Sequence, residues 1–283
     1  MGLPMARNLA KAGYLSQVWN RSPEKTQLLL DQYPAINIAD SLSLVAQDCS
    51  IIFICVSSDA DVVEVIDALK PSLQAGQIVV DTSTISVQCS REIAGELDDQ
   101  GVTFLDAPVS GGVEGARKGS LTMMIGGDGQ VLDSIRPVLQ AIATNIVWMG
   151  KVGNGQATKA VNQVMAAGIN QAVTEALALS QALGLDSDKV IEVTGSGAAA
   201  NWFLQHRGKS MMQEQFETGF KVALHHKDLS LCKALIKDLA DVEKSLPVVE
   251  MTLLHYKRLI DEGYGDDDIS ALYRLKKRLF ERG

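Results

Sequence analysis

The stretch Gly150-Lys151-Val152-Gly153-Asn154-Gly155 divides this sequence of 283 residues into two halves with different patterns. Before it, short apolar runs alternate with helical patterns, which is typical of a parallel sheet covered by helices on both faces. After it the strand pattern stops, and a long apolar helical run is followed by further helical patterns. We therefore predict an α/β domain over residues 1–152 and an all-α domain over residues 153–283.

The predicted strands are short apolar runs, namely Leu15–Trp19, Ser50–Val56, Gln77–Asp81, Val102–Asp106, Leu121–Ile125 and Ile146–Met149. The helices predicted between them are Ser22–Gln32, Asp59–Leu69, Val87–Gln100 and Gln130–Ala143. The helices predicted for the second half are Gly155–Leu183, Ser187–Thr194, Asn201–Gln213, Lys227–Lys237, Leu246–Asp261 and Ile269–Phe280. Gly155–Leu183 is apolar almost all round, so we expect that helix to be buried.

The composition is that of an ordinary globular protein, with 46% hydrophobic and 21% charged residues. The formal net charge of −8 disfavours nucleic acid as a partner, because phosphate binding requires a basic face. No apolar run approaches the ~20 residues of a membrane-spanning helix, and the N-terminus has no signal-peptide pattern. The cysteines form no C-x-x-C pair and the histidines show no metal-ligand spacing. We therefore expect a cytoplasmic protein without a metal site and without nucleic-acid or membrane partners.

The beginning of the sequence departs from the pattern of a dinucleotide-binding sheet. Such a sheet opens with a strand and G-x-G-x-x-G, whose third glycine begins a helix. Here Met1-Gly2-Leu3-Pro4-Met5-Ala6 runs directly into helix-compatible residues, so Gly2 takes the place of the third glycine and no strand precedes it. A missing central strand forfeits several buried side chains of roughly 1.5–3 kcal/mol each. We expect a truncated sequence or, failing that, weak dinucleotide affinity.

The segment Trp19-Asn20-Arg21-Ser22-Pro23 ends the first predicted strand. In NAD-binding folds an acidic residue here accepts the ribose hydroxyls. Asn20 is uncharged, and Arg21 is suited to pairing with a 2′-phosphate. The alternative is a solvated arginine beside a helix that Ser22 caps, and both interpretations can hold together.

The segment Asp106–Gly112 follows a strand and ends in small residues. Gly111 and Gly112 let backbone N–H groups approach an anion, and Ser110 adds a hydroxyl donor. This chemistry suits a substrate carboxylate. On spacing alone, an ordinary glycine turn is the favoured alternative.

The glycines of 150–155 lead into a helical run that contains Lys159 and Asn162, which are neighbours on one helix face. A lysine on an apolar helix is costly unless it faces a polar cleft. With an ordinary pKa of ~10.4 it is an ammonium that can protonate a carbonyl oxygen as hydride arrives, and burial would favour the neutral form that the reverse reaction requires. Taken alone, a lysine snorkelling at a helix end is the favoured alternative.

The segment His225-His226-Lys227-Asp228-Leu229 is a polar patch at a predicted helix start. Asp228 suits the positive end of a helix dipole, and Lys227 can reach an anion. An ordinary capped surface helix is the favoured alternative.

Together, and in this order, these segments resemble the β-hydroxyacid dehydrogenase family, which includes 3-hydroxyisobutyrate dehydrogenases and semialdehyde reductases. The resemblance covers almost the whole chain. It implies a Rossmann domain joined by a long helix to an all-α domain, with the active site between them. It further implies that Lys159 is the catalytic acid/base, that Asn162 orients substrate, and that Ser110, Gly111 and Gly112 hold the substrate carboxylate.

The resemblance also implies a set of cofactor contacts: Met1, Gly2, Leu3, Pro4, Asn20, Arg21, Val56, Ser57, Thr84 and Lys227, the last closing over substrate as well. Trp19–Ser22 looks like the branch that prefers NADP(H), with NAD(H) also possible. The family often has two asparagines after the lysine; here the second is replaced by Gln163, which affects substrate fit.

The sequence therefore predicts NADPH-dependent reduction of a small semialdehyde or 2-oxo acid, reversible as oxidation of a β-hydroxyacid, in a homodimer or homotetramer. Two alternatives stay open. One is a dinucleotide-binding sensor or interaction module without catalysis, and the other is an imine reductase on the same scaffold, although such enzymes commonly lack the lysine.

Overall fold

The computed structural model describes residues 1–237 and 245–281. The chain divides into two compact units, Met1–Lys159 and Ala160–Gly283. The division falls inside a helix of 29 residues, Asn154–Ala182. In the part of the chain that the structure describes, no helix is both long and apolar enough to cross a membrane.

The first unit contains strands β1 (Gln17–Val18), β2 (Asn37–Ile38), β3 (Ile51–Ile54), β4 (Ile78–Asp81), β5 (Thr103–Asp106), β6 (Val109–Ser110), β7 (Leu121–Gly126) and β8 (Ala143–Gly150). The larger sheet has the order β3-β4-β5-β7-β6, with β8 paired to β7. Strands β3, β4 and β5 are parallel, whereas β7 is antiparallel to β5 and β6. The predicted parallel sheet is thus confirmed for β3, β4 and β5 and for the β7–β8 pair, whereas the pairings of β7 with β5 and β6 are antiparallel.

The helices of the first unit are α1 (Gly2–Lys11), α2 (Glu24–Leu30), α3 (Leu42–Asp48), α4 (Asp59–Leu69), α5 (Val87–Asp98), α6 (Gly112–Lys118) and α7 (Gly129–Leu139). Alternate strand residues enter different clusters: Val80 and Leu105 lie in one, Val79 and Phe104 in the other. Because successive side chains of a strand point to opposite faces, the sheet has a core on each side. This is the doubly wound, Rossmann-type arrangement.

The sheet of the first unit is split where the sequence predicts a missing strand. Among the described residues, β1 pairs only with β2, and β3 forms an edge of the larger sheet. A cavity of about 1340 Å³ is lined by residues of β1, β3 and α1, including apolar Leu9, Val18 and Phe53. The strand order is that of a dinucleotide-binding sheet without its central first strand.

The second unit is helical. After α8 (Asn154–Ala182) it contains α9 (Ser187–Gly195), α10 (Trp202–Met212), α11 (Val222–Lys237), α12 (Pro247–Asp261) and α13 (Leu272–Arg278). Its core includes Tyr256 and Tyr273, both fully buried. The expectation of all-round burial for α8 is wrong: Ala167 is buried, but Val161 and Met165 are 62% and 63% exposed.

Several predicted boundaries need correction. Strands β2 and β6 and helices α3 and α6 were not predicted, because two-residue strands and seven-residue helices are too short to establish a period. The helix predicted from Ser22 begins at Glu24, with Pro23 at the cap position. The helix predicted from Lys227 begins at Val222. The last predicted helix is a 3₁₀ turn that Asp268 caps, followed by α13.

Candidate active site

The carboxyl ends of three parallel strands meet at one edge of the larger sheet. The register pairs Ile54 with Asp81 and Asp81 with Asp106, so β3, β4 and β5 end level with one another. The loops that follow are joined by short hydrogen bonds. The Val56 N–H donates to Ser83 Oγ at 2.9 Å, and Thr82 Oγ1 donates to the Ile54 carbonyl at 2.7 Å. These bonds fix the loop that contains Thr84.

Asp106, at the end of β5, holds the beginning of α8. Its Oδ1 accepts the Gly153 N–H at 2.8 Å and its Oδ2 accepts the Gln156 N–H at 2.9 Å. Glycine is required close by, since a Cβ atom at Gly155 would lie 2.7 Å from Asp106 Oδ2. Burial raises the pKa of this carboxyl to about 6, and the backbone N–H groups of Gly153 and Gln156 oppose the rise. The carboxylate takes the place of a helix-capping side chain.

The Gln156 side chain ties the first turn of α8 to the loop after β4. Its Nε2 donates to the Ser83 carbonyl at 2.8 Å, and its Oε1 accepts the Ile85 N–H at 3.2 Å. Gln156 is 3% exposed. The hydrogen bonds of Asp106 and Gln156 therefore fix the first turn of α8 to the ends of β4 and β5. This sets the position of the residues one turn later in α8.

Lys159 is one of those residues, and its side chain is buried with 7% exposed. Its Nζ donates to the Val109 carbonyl at 2.9 Å. Val109 belongs to β6, and the chain continues directly into Ser110, Gly111 and Gly112. Gly111 has a φ of 125°, which requires glycine. The first unit thus brings the predicted acid/base beside the segment predicted to hold a carboxylate, and the lysine does not snorkel along the surface.

The predicted cofactor residues of the first unit gather mostly around the cavity between β1 and β3. Its lining includes Met1, Gly2, Leu3, Asn20, Arg21, Val56 and Ser57. Pro4 and Thr84 do not line it. A Cβ atom at Gly2 would lie 3.7 Å from Cys55 Cβ, an ordinary contact, so packing alone does not demand glycine there.

Arg21 has a partner that the sequence did not predict. Its Nη2 lies 2.7 Å from Asp61 Oδ1, and 66% of the arginine side chain is exposed. Hydrogen bonds from Ser58 and Arg21 lower the pKa of Asp61. Arg21 is therefore neither simply solvated nor free for an anion in this structure.

In the second unit, four polar side chains form one connected group. Asn162 Nδ2 donates to Gln163 Oε1 at 2.9 Å, and Gln163 Nε2 donates to Asp228 Oδ2 at 2.6 Å. Lys227 Nζ lies 2.9 Å from Asp228 Oδ1. Because α11 begins at Val222 and Asp228 is 4% exposed, the interpretation of Asp228 as part of a capped surface helix is wrong.

Sequence reasoning missed the positioning residues of this site. Asp106 was assigned no bond to α8, and Gln156 and Asp61 were not singled out. Asn154, a residue type that commonly caps helices, stands at the start of α8, so the sequence offered no reason to look for an acceptor on another element.

A family model described as the NAD binding domain of 6-phosphogluconate dehydrogenase matches residues 1–150. A second, described as NAD-binding of NADP-dependent 3-hydroxyisobutyrate dehydrogenase, matches residues 153–276. An uncharacterized oxidoreductase of Shewanella frigidimarina is 38% identical over 281 residues, covering 98% of this chain and 95% of that protein.

Two further relatives have named activities. The 2-hydroxy-3-oxopropionate reductase of Escherichia coli is 37% identical over 244 residues, covering 85% of this chain and 82% of that protein. The solved structure of Mycobacterium tuberculosis 3-hydroxyisobutyrate dehydrogenase with L-serine has a TM-score of 0.85 at 27% identity, covering 97% of this chain and 95% of that one.

A Rossmann-type first unit followed by a helical second unit is the architecture of a two-domain oxidoreductase that uses a nicotinamide dinucleotide. The chain belongs to the β-hydroxyacid dehydrogenase family. It is an NAD(P)-dependent oxidoreductase that acts on the CH–OH group of hydroxyacids. The resemblance read from the sequence is confirmed, and the non-catalytic alternative has no support in this membership.

Proposed function

We propose that the chain reduces a small semialdehyde or 2-oxo acid with NADPH, and that it runs in reverse as a β-hydroxyacid dehydrogenase. The observation that carries the proposal is the Nζ of Lys159, held 2.9 Å from the Val109 carbonyl beside Ser110–Gly112. The burial of the Lys159 side chain beside the strand ends supports a role toward a bound substrate rather than toward bulk water. The buried lysine also weighs against the imine reductase alternative.

In this proposal Lys159 Nζ gives its proton to the carbonyl oxygen of the substrate, and takes a proton from the hydroxyl in the reverse direction. NADP(H), when bound, supplies or accepts the hydride. The Ser110 hydroxyl and the backbone N–H groups of Gly111 and Gly112 hold the substrate carboxylate. Asp106 and Gln156 fix the first turn of α8 and so keep Lys159 in position. Asn162 and Lys227 are proposed as further substrate contacts, supported by the family pattern and by their linkage through Gln163 and Asp228.

We propose that the cofactor residues of the first unit hold a nicotinamide dinucleotide. Gly2, Asn20 and Arg21 are among the residues that line the cavity between β1 and β3, which supports this assignment. We propose a preference for NADP(H), because Arg21 is a largely exposed cation and Asn20 supplies no carboxylate for a free ribose hydroxyl. The matched family model named for an NADP-dependent enzyme supports the same preference.

Steady-state kinetics test the catalytic role. Wild type is assayed with NADPH and NADH against glyoxylate and succinic, methylmalonate and tartronate semialdehydes, with a cyclic imine as the competing substrate class. Lys159→Met keeps the volume and removes the proton donor, so kcat should fall roughly 10²–10⁴-fold while NADPH binding, followed by fluorescence titration, is unchanged. Lys151→Met removes an exposed lysine just before α8 and should leave kcat unaltered. Turnover within tenfold of wild type in Lys159→Met, or reduction of the imine alone, would contradict the proposal.

We also propose a homodimer or homotetramer. Val161, Met165 and Ile169 recur at every fourth residue of α8 and are 62%, 63% and 37% exposed. A stripe of this kind is typical of a surface that another subunit covers. Light scattering coupled to gel filtration measures the state, and Met165→Glu should shift it toward the monomer; a monomeric wild type at micromolar concentration would contradict this part of the proposal.

A further inference from the structure

Asp61 is paired with Arg21, the residue proposed to contact the ribose end of a dinucleotide. Arg21, Ser57, Asp61 and Glu64 all line the cavity. Asp61 Oδ1 lies 2.7 Å from Arg21 Nη2, and its Oδ2 accepts a hydrogen bond from Ser58 Oγ at 2.7 Å. The Asp61 carboxylate is thus paired with the Arg21 guanidinium that a 2′-phosphate would need.

The two phosphate states of the ribose place opposite demands on this pair. A 2′-phosphate brings about two negative charges at neutral pH, so it requires Arg21 to exchange partners and it is repelled by Asp61. A free 2′-hydroxyl instead needs an acceptor, and in NAD-binding folds a carboxylate supplies it. Asn20 offers no charge, and its Oδ1 already accepts the Ser22 N–H at 2.9 Å. The carboxylate of Asp61 is the acidic group that the segment after β1 lacks.

We infer that Asp61 is a specificity-determining residue. Its carboxylate reduces the preference of this site for a 2′-phosphate over a 2′-hydroxyl, so that NAD(H) stays a usable cofactor. The inference rests on the proposed cofactor role of Arg21. Asp61 acts through its ion pair with Arg21, in which 66% of the Arg21 side chain and 23% of the Asp61 side chain are exposed. Exposed ion pairs are weak, so a phosphate can displace the carboxylate at modest cost.

A structural role of Asp61 is visible as well, and the test must separate the two. Its backbone N–H donates to Ser58 Oγ at 3.3 Å, and Ser58 is the N-cap of α4. Ser58 Oγ therefore caps α4 by accepting the Asp61 N–H, and the Asp61 carboxylate accepts from the same hydroxyl. Asp61→Asn preserves an oxygen acceptor for Ser58 and removes the charge that holds Arg21.

The experiment is calorimetric titration of the full chain with adenosine 2′,5′-bisphosphate and with 5′-AMP, which differ only in the 2′-phosphate. In Asp61→Asn the Kd of the bisphosphate should fall about fivefold, while that of 5′-AMP should stay level or rise. Glu64→Gln removes a neighbouring charge that forms no hydrogen bond to Arg21, and should change the ratio of the two Kd values less. In an Arg21→Ala background, Asp61→Asn should change the ratio by less than it does when Arg21 is present, because only the direct effects of the carboxylate on the phosphate and the hydroxyl remain.

An unchanged ratio in Asp61→Asn, an equal change in Glu64→Gln, or an undiminished effect in the Arg21→Ala background would each overturn the inference alone. Failure of every variant and of wild type to bind either nucleotide would overturn the proposed cofactor role together with it.

Discussion

Asp106 gives the first unit a pH-dependent stability that a neutral residue at this position should remove. Burial raises the pKa of its carboxyl from the ordinary value of 3.8 to about 6. Because the folded-state pKa is raised, the stabilising contribution is fully present below pH 3.8 and is lost as the pH rises through about 6. At ~1.36 kcal/mol for each pKa unit the full difference is about 3 kcal/mol, of which about 1.4 kcal/mol falls between pH 5 and 8.

The measurement is urea unfolding of wild type and Asp106→Asn at intervals from pH 5 to pH 8, followed by tryptophan fluorescence. The variant should be less stable throughout, because its single amide oxygen must replace the two that accept from Gly153 and Gln156. The difference between the free energies of unfolding of wild type and Asp106→Asn should narrow by about 1.4 kcal/mol from pH 5 to pH 8, because only the wild type loses stability with rising pH.

The matched control is Asp128→Asn. Asp128 also accepts two backbone N–H groups at a helix start, from Gln130 and Val131, but its side chain is exposed. Its stability gap relative to wild type should stay constant over the same pH range. A constant gap for Asp106→Asn, or a narrowing of equal size for the control, would refute the assignment of the pH dependence to burial of Asp106.

Three further substitutions test the packing and the cofactor site. Gly155→Ala places a Cβ atom 2.7 Å from two Asp106 oxygens and should lower the free energy of unfolding by about 1–3 kcal/mol. The control Gly95→Ala, in open space within a helix, should raise the free energy of unfolding by up to ~1 kcal/mol. Equal urea midpoints for the two variants would contradict this prediction. Gln163→Met removes the 2.6 Å donor to a buried carboxylate and should cost about 1.5–3 kcal/mol in the same assay, and a loss under 0.5 kcal/mol would show that water replaces the amide. Arg21→Ala should raise the KM for NADPH at least about tenfold while the KM for NADH changes little, and equal changes would remove the 2′-phosphate argument.

Periodicity was sufficient for the elements that are long or regular. Strands β3, β4, β5 and β7, together with α4, α5 and α8, lie where apolar runs and helical spacing predict them. The shorter elements β2, β6, α3 and α6 could not be found, since a two-residue strand has no period. The start of α11 was misplaced for a related reason: the polar run from His225 to Asp228 was interpreted as a helix start, yet His225 and Asp228 are buried within the helix.

The sequence by itself determined the order of strands and helices, the change of pattern at Gly150–Gly155, and the i, i+3 spacing of Lys159 and Asn162. These are local properties, because hydrophobic period and turn chemistry act over a few residues. Only the tertiary structure decided which polar groups meet. Lys159 donates to the Val109 carbonyl, 50 residues away in sequence. Arg21 donates to Asp61, 40 residues away, and Gln163 donates to Asp228, 65 residues away. Such contacts depend on strand register and helix packing, which bring distant segments together, so no local pattern could specify them.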